Sequence, residues 1–433
     1  MVRRWRIRGG AVAALIGYLM LTLAFTWPLA TAFTRAIPGD GFDGWQNYWN
    51  LWWMKVALLE EHTWPFFTDL LYHPTGVGLL FHTLNPFNGL VTLPIQVTFG
   101  LFPAYNVVVL FSFVLAGLGA YLLARQMLGP GGSRLAAFAA GAIFTFAPVH
   151  IAHLLGHMQV ISLEWIPFFV LYLLRATDGN RGKKKRRDLL LAAFFLVLVA
   201  LCDWYYVLYA LIFSAIVAVW RLLMARPLRR AVGGLAAIAG IWLVWAAALS
   251  PLLGPMIHEA TRYRFMVPDP AQSRLLSADL LAFVTPHGFH PLWGAWAREQ
   301  SKVFTSSISE YTVFAGYVVL ALVVLSVWPE KGKGARWQVA GVAQNSKAFW
   351  LLVLAVFFVL ALGPVLHIGG RTALLPGGRE IPLPYGLLAR MVPFMEITRS
   401  VSRYDVMVML ALSILAAWGV DRLWRGGRRT RTL

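Results

Sequence analysis

Apolar runs of about 20 residues recur along the whole chain, and this feature most restricts its fold. A helix needs about 20 apolar residues to cross the hydrocarbon core of a bilayer. Hydrophobic residues make up 59% of the chain and charged residues only 13%, so a soluble domain could not cover its apolar surface with polar groups. The sequence therefore predicts an all-α, polytopic integral membrane bundle.

The runs predict about 10 transmembrane helices, within a range of about 9 to 12, with both termini cytoplasmic. The first run extends beyond signal-peptide length and lacks a small-x-small cleavage site, so we interpret it as a retained span. The shorter run 86–102 is predicted to be an interfacial or re-entrant helix. The predicted spans are 11–32, 104–126, 135–150, 160–175, 189–202, 204–221, 231–250, 308–328, 348–367 and 404–424.

The net charge of +19 is distributed in clusters between the apolar runs. Such clusters are typical of cytoplasmic loops in a membrane protein and do not favour nucleic-acid binding, for which a basic face or stripe is expected. The predicted location is the cell (inner or plasma) membrane, with multiple passes. The single cysteine, Cys202, permits no internal disulfide.

The sequence predicts one transmembrane domain over residues 1–433, without a separate soluble domain. Its predicted extracytoplasmic parts are 33–103, which carries interfacial helices, and the two segments 251–307 and 368–402.

Two carboxylates, Asp40 and Asp43, stand directly after the first span and before an aromatic-rich helix predicted over 45–60. One interpretation is structural: Asp43 and Gln46 have the spacing of a capping box, and Asp40 shapes a Gly-Asp-Gly turn. The other is functional, because a carboxylate at the membrane surface is suited to act as a general base or to hold a divalent cation.

The chain resembles the GT-C superfamily of membrane glycosyltransferases, and in particular a set of bacterial proteins of that type. It is distantly similar to the protein O-mannosyltransferases and the lipid A aminoarabinose transferases. The resemblance covers most of the chain loosely. It rests on the segments Asp43-Gly-Trp-Gln-Asn-Tyr-Trp-Asn-Leu-Trp-Trp53, Tyr72-His-Pro-Thr-Gly76, Phe146-Ala-Pro-Val-His-Ile-Ala-His153, Glu310-Tyr-Thr-Val-Phe-Ala-Gly316 and Arg399-Ser-Val-Ser-Arg403.

The resemblance implies extracytoplasmic catalysis, a polyprenyl-phosphate sugar as donor, inversion at the sugar carbon and an acidic base. Asp43 matches the first acid of the family's acidic pair by position. The match is incomplete, because Gly44 follows where better-known members have Glu. Asp40 is the expected substitute, and a divalent cation, Mg²⁺ or Mn²⁺, is an open alternative.

Further polar residues are candidates for substrate or metal binding. His150, His153 and His157 share one face if their helix is continuous, a spacing suited to a metal, to water or to a phosphate. Glu164 and Asp203 lie near span ends, where they are either functional intramembrane acids or hydrated surface groups.

Arg399 and Arg403 precede the last span and are predicted to bind the lipid phosphate, because guanidinium groups bind phosphate in a fork; anchoring at the interface is the alternative. Arg262 and Arg264 present the same two alternatives. Gln46, Trp49 and Trp53 are expected to contact sugar and prenyl groups. The segment 286–293 and Glu310 are expected either to close over the site or to form an ordinary ordered loop.

The predicted function is transfer of a sugar from a polyprenyl-phosphate donor to an extracytoplasmic cell-envelope acceptor. Two alternatives remain: a transporter or flippase of lipid-linked intermediates, and a non-catalytic scaffold of an envelope-polymer complex. The expected partners are membrane lipid and the lipid-linked donor, with no nucleic acid.

Overall fold

The structure is a computed structural model that describes residues 2–39, 41, 43–178, 182–225, 227–329, 346–392 and 394–430. Side chains are described from residue 9 to residue 426 within these ranges. Asp40 and most of the predicted basic loop before the ninth span lie outside the described residues.

The described residues are mainly helical. The first ten helices are α1 (Val2–Phe25), α2 (Asp43–Lys55), α3 (Pro86–Phe99), α4 (Leu101–Leu128), α5 (Arg134–Thr145), α6 (Pro148–Ala152), α7 (Met158–Ile161), α8 (Trp165–Thr177), α9 (Lys183–Cys202) and α10 (Trp204–Met224). The others are α11 (Leu228–Ala248), α12 (Ser250–Arg262), α13 (Pro270–Leu275), α14 (Gly294–Gln300), α15 (Ile308–Tyr311), α16 (Tyr317–Val327), α17 (Lys347–Ala361), α18 (Pro384–Met391) and α19 (Asp405–Thr430).

In the part of the chain that the structure describes, two small antiparallel hairpins occur in the connecting segments. Strand β1 (Phe67–Thr68) pairs with β2 (Val77–Gly78), and β3 (His367–Ile368) pairs with β4 (Arg371–Thr372). The hairpins fold parts of the predicted extracytoplasmic segments 33–103 and 368–402 back on themselves.

Among the described residues, six helical stretches are long and apolar enough to cross a bilayer: Leu101–Leu128, Arg134–Leu155, Met158–Thr177, Trp204–Met224, Leu228–Ala248 and Val401–Gly426. Shorter apolar helices cover Gly9–Phe25, Tyr317–Val327 and Lys347–Ala361. The chain is therefore a polytopic helical membrane protein. The count of 10 spans and the orientation of the chain stay predictions. Most of the run 86–102 forms the 14-residue helix α3, which ends at Phe99, and the run's last two residues begin α4. The interfacial or re-entrant placement of this run is likewise a prediction.

The chain folds into two compact units, and the single transmembrane domain over residues 1–433 stays a prediction. Unit 1 comprises Met1–Gly119, His153–Ala210 and Leu235–Met266; unit 2 comprises Ala120–Ala152, Leu211–Gly234 and Val267–Leu433. Each unit contains candidate membrane spans.

Aromatic side chains hold α8 against α9 in unit 1. The ring of Phe195 stacks with Trp165, Phe168 and Tyr172, at centroid distances of 5.8, 5.0 and 5.5 Å. Such ring pairs add stability beyond the apolar area that they bury. The pairing of α8 with α9 gives this unit a rigid apolar wall.

Helix α19 is the centre of unit 2 and packs against α5, α16 and α17. Its residues 406–417 are all buried, as expected for a helix surrounded by other helices. Gly419 allows a close approach to α16, because an added Cβ would lie 2.2 Å from the carbonyl oxygen of Leu322. Small residues at such crossings are typical of membrane helices.

The carboxylate of Asp279 joins two distant segments of unit 2. Its Oδ1 accepts hydrogen bonds from the N–H groups of Leu281 (2.8 Å) and Gly369 (3.0 Å), and its Oδ2 accepts one from Gly370 (2.8 Å). Charge-assisted bonds of this type are among the stronger hydrogen bonds in proteins. Asp279 therefore clamps the β3–β4 turn to the segment that follows α13.

Candidate functional site

Asp43 and His157 form a hydrogen-bonded pair at the centre of the candidate site in unit 1. Asp43 is the first residue of α2, and its Oδ2 lies 2.9 Å from Nε2 of His157. The side chain of Asp43 is 40% exposed and that of His157 is 17% exposed. The imidazole therefore orients the carboxylate while part of the acid stays accessible to a substrate.

A tight backbone contact places His157 beside the start of α2. The φ angle of Gly156 is +144°, a region that residues with a Cβ rarely adopt. An added Cβ at Gly156 would lie 2.4 Å from the amide nitrogen of Gly44. The Nδ2 group of Asn47 donates to the carbonyl oxygens of Gly156 (2.8 Å) and Asp43 (3.1 Å) and so fastens the loop to the helix.

The next turn of α2 binds the segment 82–83 through polar side chains. Asn50 donates from Nδ2 to the carbonyl oxygen of Thr83 at 2.8 Å, and its Oδ1 lies 2.9 Å from Nε2 of His82. Gln46 donates to Oγ1 of Thr83 at 3.4 Å, which directs its amide to this segment. Asp43 is thus paired with a histidine, and Gln46 contacts another loop.

The aromatic residues of α2 divide between the core and the surface. Trp53 is 1% exposed and donates from Nε1 to the carbonyl oxygen of Pro65 at 2.8 Å. The half-buried ring of Trp49 stacks on Trp53 with a centroid distance of 5.9 Å. Burial makes Trp53 part of the core below Trp49, although the sequence suggested it for substrate contact. The exposed ring on the first turn belongs to Trp45.

An apolar groove of about 540 Å³ adjoins the C-terminal half of α2. Its walls come from α2, the segment 63–66, α3 and the region where α11 meets α12. A groove with such walls is suited to hydrocarbon chains. Its lining residues are Met54, Leu58, Thr63, Trp64, Pro65, Phe66, Pro86, Leu90, Leu201, Ala248, Leu249, Pro251 and Leu252.

The predicted three-histidine face is not formed, because α6 ends at Ala152 and a 3₁₀ turn covers His153–Leu155. His150 is buried, with Nδ1 2.7 Å from the carbonyl oxygen of Thr145. The buried ring of His153 lies 5.1 Å from that of His157. Among the described residues, no group of three or more His, Cys, Asp or Glu side chains is arranged to hold a metal ion.

In unit 2, Glu310 binds both Arg403 and Ser402. Its Oε1 accepts from Nε (2.9 Å) and Nη2 (2.5 Å) of Arg403, and its Oε2 accepts from the Ser402 hydroxyl at 2.6 Å. The exposures of 11% for Arg403 and 4% for Glu310 make this a buried pair. Arg399, the other predicted phosphate ligand, is exposed.

The remaining acids and arginines have individual placements. Glu164, for which the sequence left a hydrated position open, is fully buried and accepts a hydrogen bond from Ser112 at 2.6 Å. Asp203 accepts a bond from the N–H of Tyr205 at 2.7 Å and so caps the start of α10. Arg262 is exposed at the end of α12, with its guanidinium 5.8 Å from the ring of Tyr263.

The segment 286–293 is an ordered loop of unit 2, and its closure over Asp43 stays a prediction.

Three contributors to the site were missed by sequence reasoning: Asn47, Asn50 and His82. Asn47 and Asn50 are buried, and their spacing of three residues places them on one face of α2. Polar amides on the inner face of an aromatic helix are the signal that would have found them. His82 is far away in sequence, and burial lowers the pKa of its imidazole, which favours the neutral ring that Asn50 contacts.

The helices define a polytopic membrane protein. The fold is similar to that of archaeal oligosaccharyltransferase AglB from Archaeoglobus fulgidus, solved in complex with an inhibitory peptide and a dolichol-phosphate, with a TM-score of 0.53 and 13% identity. The match covers 99% of this chain and 52% of that chain, so the chain spans about half the length of AglB.

The chain belongs to the family described as "Domain of unknown function (DUF6311)", whose model matches residues 10–433. No curated protein matches its sequence.

Proposed function

We propose that the protein transfers a sugar from a polyprenyl-phosphate carrier to a hydroxyl of an extracytoplasmic cell-envelope acceptor. The observation that carries this proposal is the partly exposed Asp43 carboxylate, bonded to His157 at 2.9 Å, within a fold similar to that of an oligosaccharyltransferase. An acid oriented by a histidine and accessible to a substrate is suited to general-base catalysis.

In the proposed reaction, the acceptor hydroxyl donates its hydrogen bond to Asp43. The carboxylate takes the proton as the hydroxyl oxygen forms a bond to the anomeric carbon, and the carbon–oxygen bond to the phosphate breaks. The leaving polyprenyl phosphate keeps the electron pair of that bond, and the configuration at carbon inverts. His157 acts as a positioning residue. Its Nε2 bonds Oδ2 of Asp43 and so fixes the direction of the carboxylate, while the other oxygen, Oδ1, takes the proton.

Further residues are assigned to donor binding. The exposed Arg399 is proposed to contact the lipid phosphate, with Arg403 held in place by Glu310. The apolar groove beside α2 is suited to the prenyl chain, and Trp49 and Gln46 to the sugar. Asp40 is proposed to support Asp43, and a requirement for Mg²⁺ or Mn²⁺ is left to experiment.

The test is a transfer assay in membranes with a panel of radiolabelled polyprenyl-phosphate sugars, with Mg²⁺, with Mn²⁺ and with a chelator. Wild type is compared with Asp43→Asn and Asp40→Asn at equal protein level. Asp69→Asn is the matched control, because Asp69 is an exposed acid of the same segment. We expect transfer by wild type and by Asp69→Asn and its loss in Asp43→Asn.

Two outcomes would contradict the proposal. Equal transfer by wild type and Asp43→Asn would remove Asp43 from the mechanism. Absence of transfer with every donor, together with movement of a labelled lipid-linked sugar across vesicles that contain the protein, would instead assign the chain to the transporters of lipid-linked intermediates.

A further inference from the structure

Four large apolar side chains of unit 2 form an exposed patch outside the candidate site: Phe289, Leu292, Trp293 and Trp296. Phe289, Leu292 and Trp293 lie in the turns before α14, Trp296 lies in its first turn, and the rings of Trp293 and Trp296 are 6.0 Å apart. Leu292 is 85% exposed, and the other three are between 44% and 53% exposed. Soluble surfaces rarely expose such a contiguous group without a binding partner.

Internal hydrogen bonds fix the shape of this segment. Nδ1 of His290 accepts from the N–H groups of Leu292 (3.3 Å) and Trp293 (3.2 Å). Nη1 of Arg298 donates to the carbonyl oxygen of Gly288 at 2.7 Å. The inside of the loop has no room for a further side chain, because an added Cβ at Gly294 would lie 2.6 Å from the carbonyl oxygen of Gly288. The apolar side chains are therefore held on the outside of a closed loop.

The patch is continuous with the start of the apolar helix α16. The ring of Trp293 lies 5.8 Å from that of Tyr317, the first residue of α16. The hydroxyl of Tyr317 donates to the carbonyl oxygen of Val284 at 2.8 Å, which ties the helix to the chain just before the loop. The next residue, Val318, is 74% exposed, as expected for a side chain that faces lipid.

The geometry points to insertion of this patch into the surface of the bilayer beside α16, with the lipid headgroup and upper acyl region as its partner. Tryptophan and tyrosine favour this depth, because their rings are apolar and their N–H or O–H groups reach water. The closed loop is already ordered, so little further conformational entropy is lost on insertion. Insertion of the patch requires no chemistry at Asp43.

The test places a nitroxide spin label on Leu292→Cys in the full chain, reconstituted in nanodiscs of phosphatidylethanolamine and phosphatidylglycerol. The native Cys202 is buried, and labelled wild type gives the background. Collision rates with oxygen, which partitions into lipid, and with a water-soluble nickel chelate are then compared. Val318→Cys is the lipid control, and Glu299→Cys, at a side chain that is 66% exposed beside an exposed lysine, is the water control.

We expect the oxygen-to-nickel collision ratio at position 292 to be close to that at position 318 and well above that at position 299. A ratio equal to that of position 299 would overturn the inference. A third result would assign another ligand. If position 292 is water-like and its collision rates fall only when a soluble envelope glycan is added, the patch is a carbohydrate site instead. A second measurement avoids the label: brominated lipids should quench wild-type fluorescence more than that of Trp293→Tyr/Trp296→Tyr.

Discussion

Gly156 and Gly44 meet backbone to backbone, with the Cβ position of Gly156 only 2.4 Å from the amide nitrogen of Gly44. The loop that carries His157 therefore rests directly on the first turn of α2. The orientation of Asp43 depends on this contact, because His157 follows Gly156 in the chain.

Gly156→Ala tests this dependence. The added methyl group has no room and should lower the free energy of unfolding by about 1–3 kcal/mol, and it should displace His157 from Asp43. Thermal unfolding in detergent and the transfer assay measure the two effects. Gly129→Ala is the control, because Gly129 also has a positive φ (+73°) but no neighbouring atom within 4 Å of its Cβ position. If the two variants lose equal stability and activity, strain of the backbone and not the contact with Gly44 is the cause.

His157→Ala should reduce kcat/KM for transfer roughly 10- to 100-fold, because a hydrogen bond to a charged group contributes about 1.5–3 kcal/mol. His157→Gln should keep part of the activity, since its amide can donate to Asp43. The exposed His258 provides the control variant His258→Ala, which should retain full activity. Full activity of His157→Ala would mean that the imidazole does not orient the acid.

Removal of one partner of the buried Glu310–Arg403 pair should be strongly destabilising. We expect Glu310→Gln or Arg403→Met to lower the free energy of unfolding by about 3–5 kcal/mol, since each leaves a buried charge without its counter-ion. The double variant Glu310→Gln/Arg403→Met should be more stable than either single variant. Denaturant unfolding in detergent measures the cycle, and additive losses would show that the two residues act independently.

The loop 287–293 should lose stability as the pH falls. Burial and, second, the charge of His290 lower the pKa of His287 from 6.5 to about 4, so the folded state binds fewer protons than the unfolded state between these values. Stability is then fully present above about pH 6.5 and decreases as the pH falls towards about 4. Protonation also removes Nδ1 as acceptor for the N–H of Phe289.

Hydrogen exchange of the 287–293 amides as a function of pH measures this loss. His287→Asn should flatten the pH dependence, whereas His258→Asn at an exposed site should leave it unchanged. An unchanged profile in His287→Asn would assign the effect to other groups.

The helices could be predicted because their signals are local. Apolar runs located the candidate spans. The aromatic-rich helix predicted over 45–60 corresponds to α2 and to the π turn Val56–Glu60 that follows it, a turn that the sequence did not predict. His150, His153 and His157 were predicted to share one face only if their helix is continuous. That condition is not met, because a 3₁₀ turn over His153–Leu155 and the positive φ of Gly156 interrupt the helix.

The partners of the site residues could not be predicted from local patterns. Asn47 bonds a residue 109 positions away, and Glu310 pairs with a residue 93 positions away. Nothing in the sequence near Asp43 distinguishes His157 from the other histidines as its partner. Such pairs depend on how the helices pack, which periodicity does not specify.

The Asp279 clamp also sets an order of assembly. During translation, Asp279 is synthesised well before Gly369 and Gly370, which follow it by 90 and 91 positions. At a synthesis rate of about 5–20 residues per second, two of the three hydrogen-bond donors to its carboxylate are synthesised about 5–20 s after Asp279. The segment around Asp279 therefore reaches its final form only after the chain through α17 has been synthesised, which makes this part of unit 2 a late step in biogenesis.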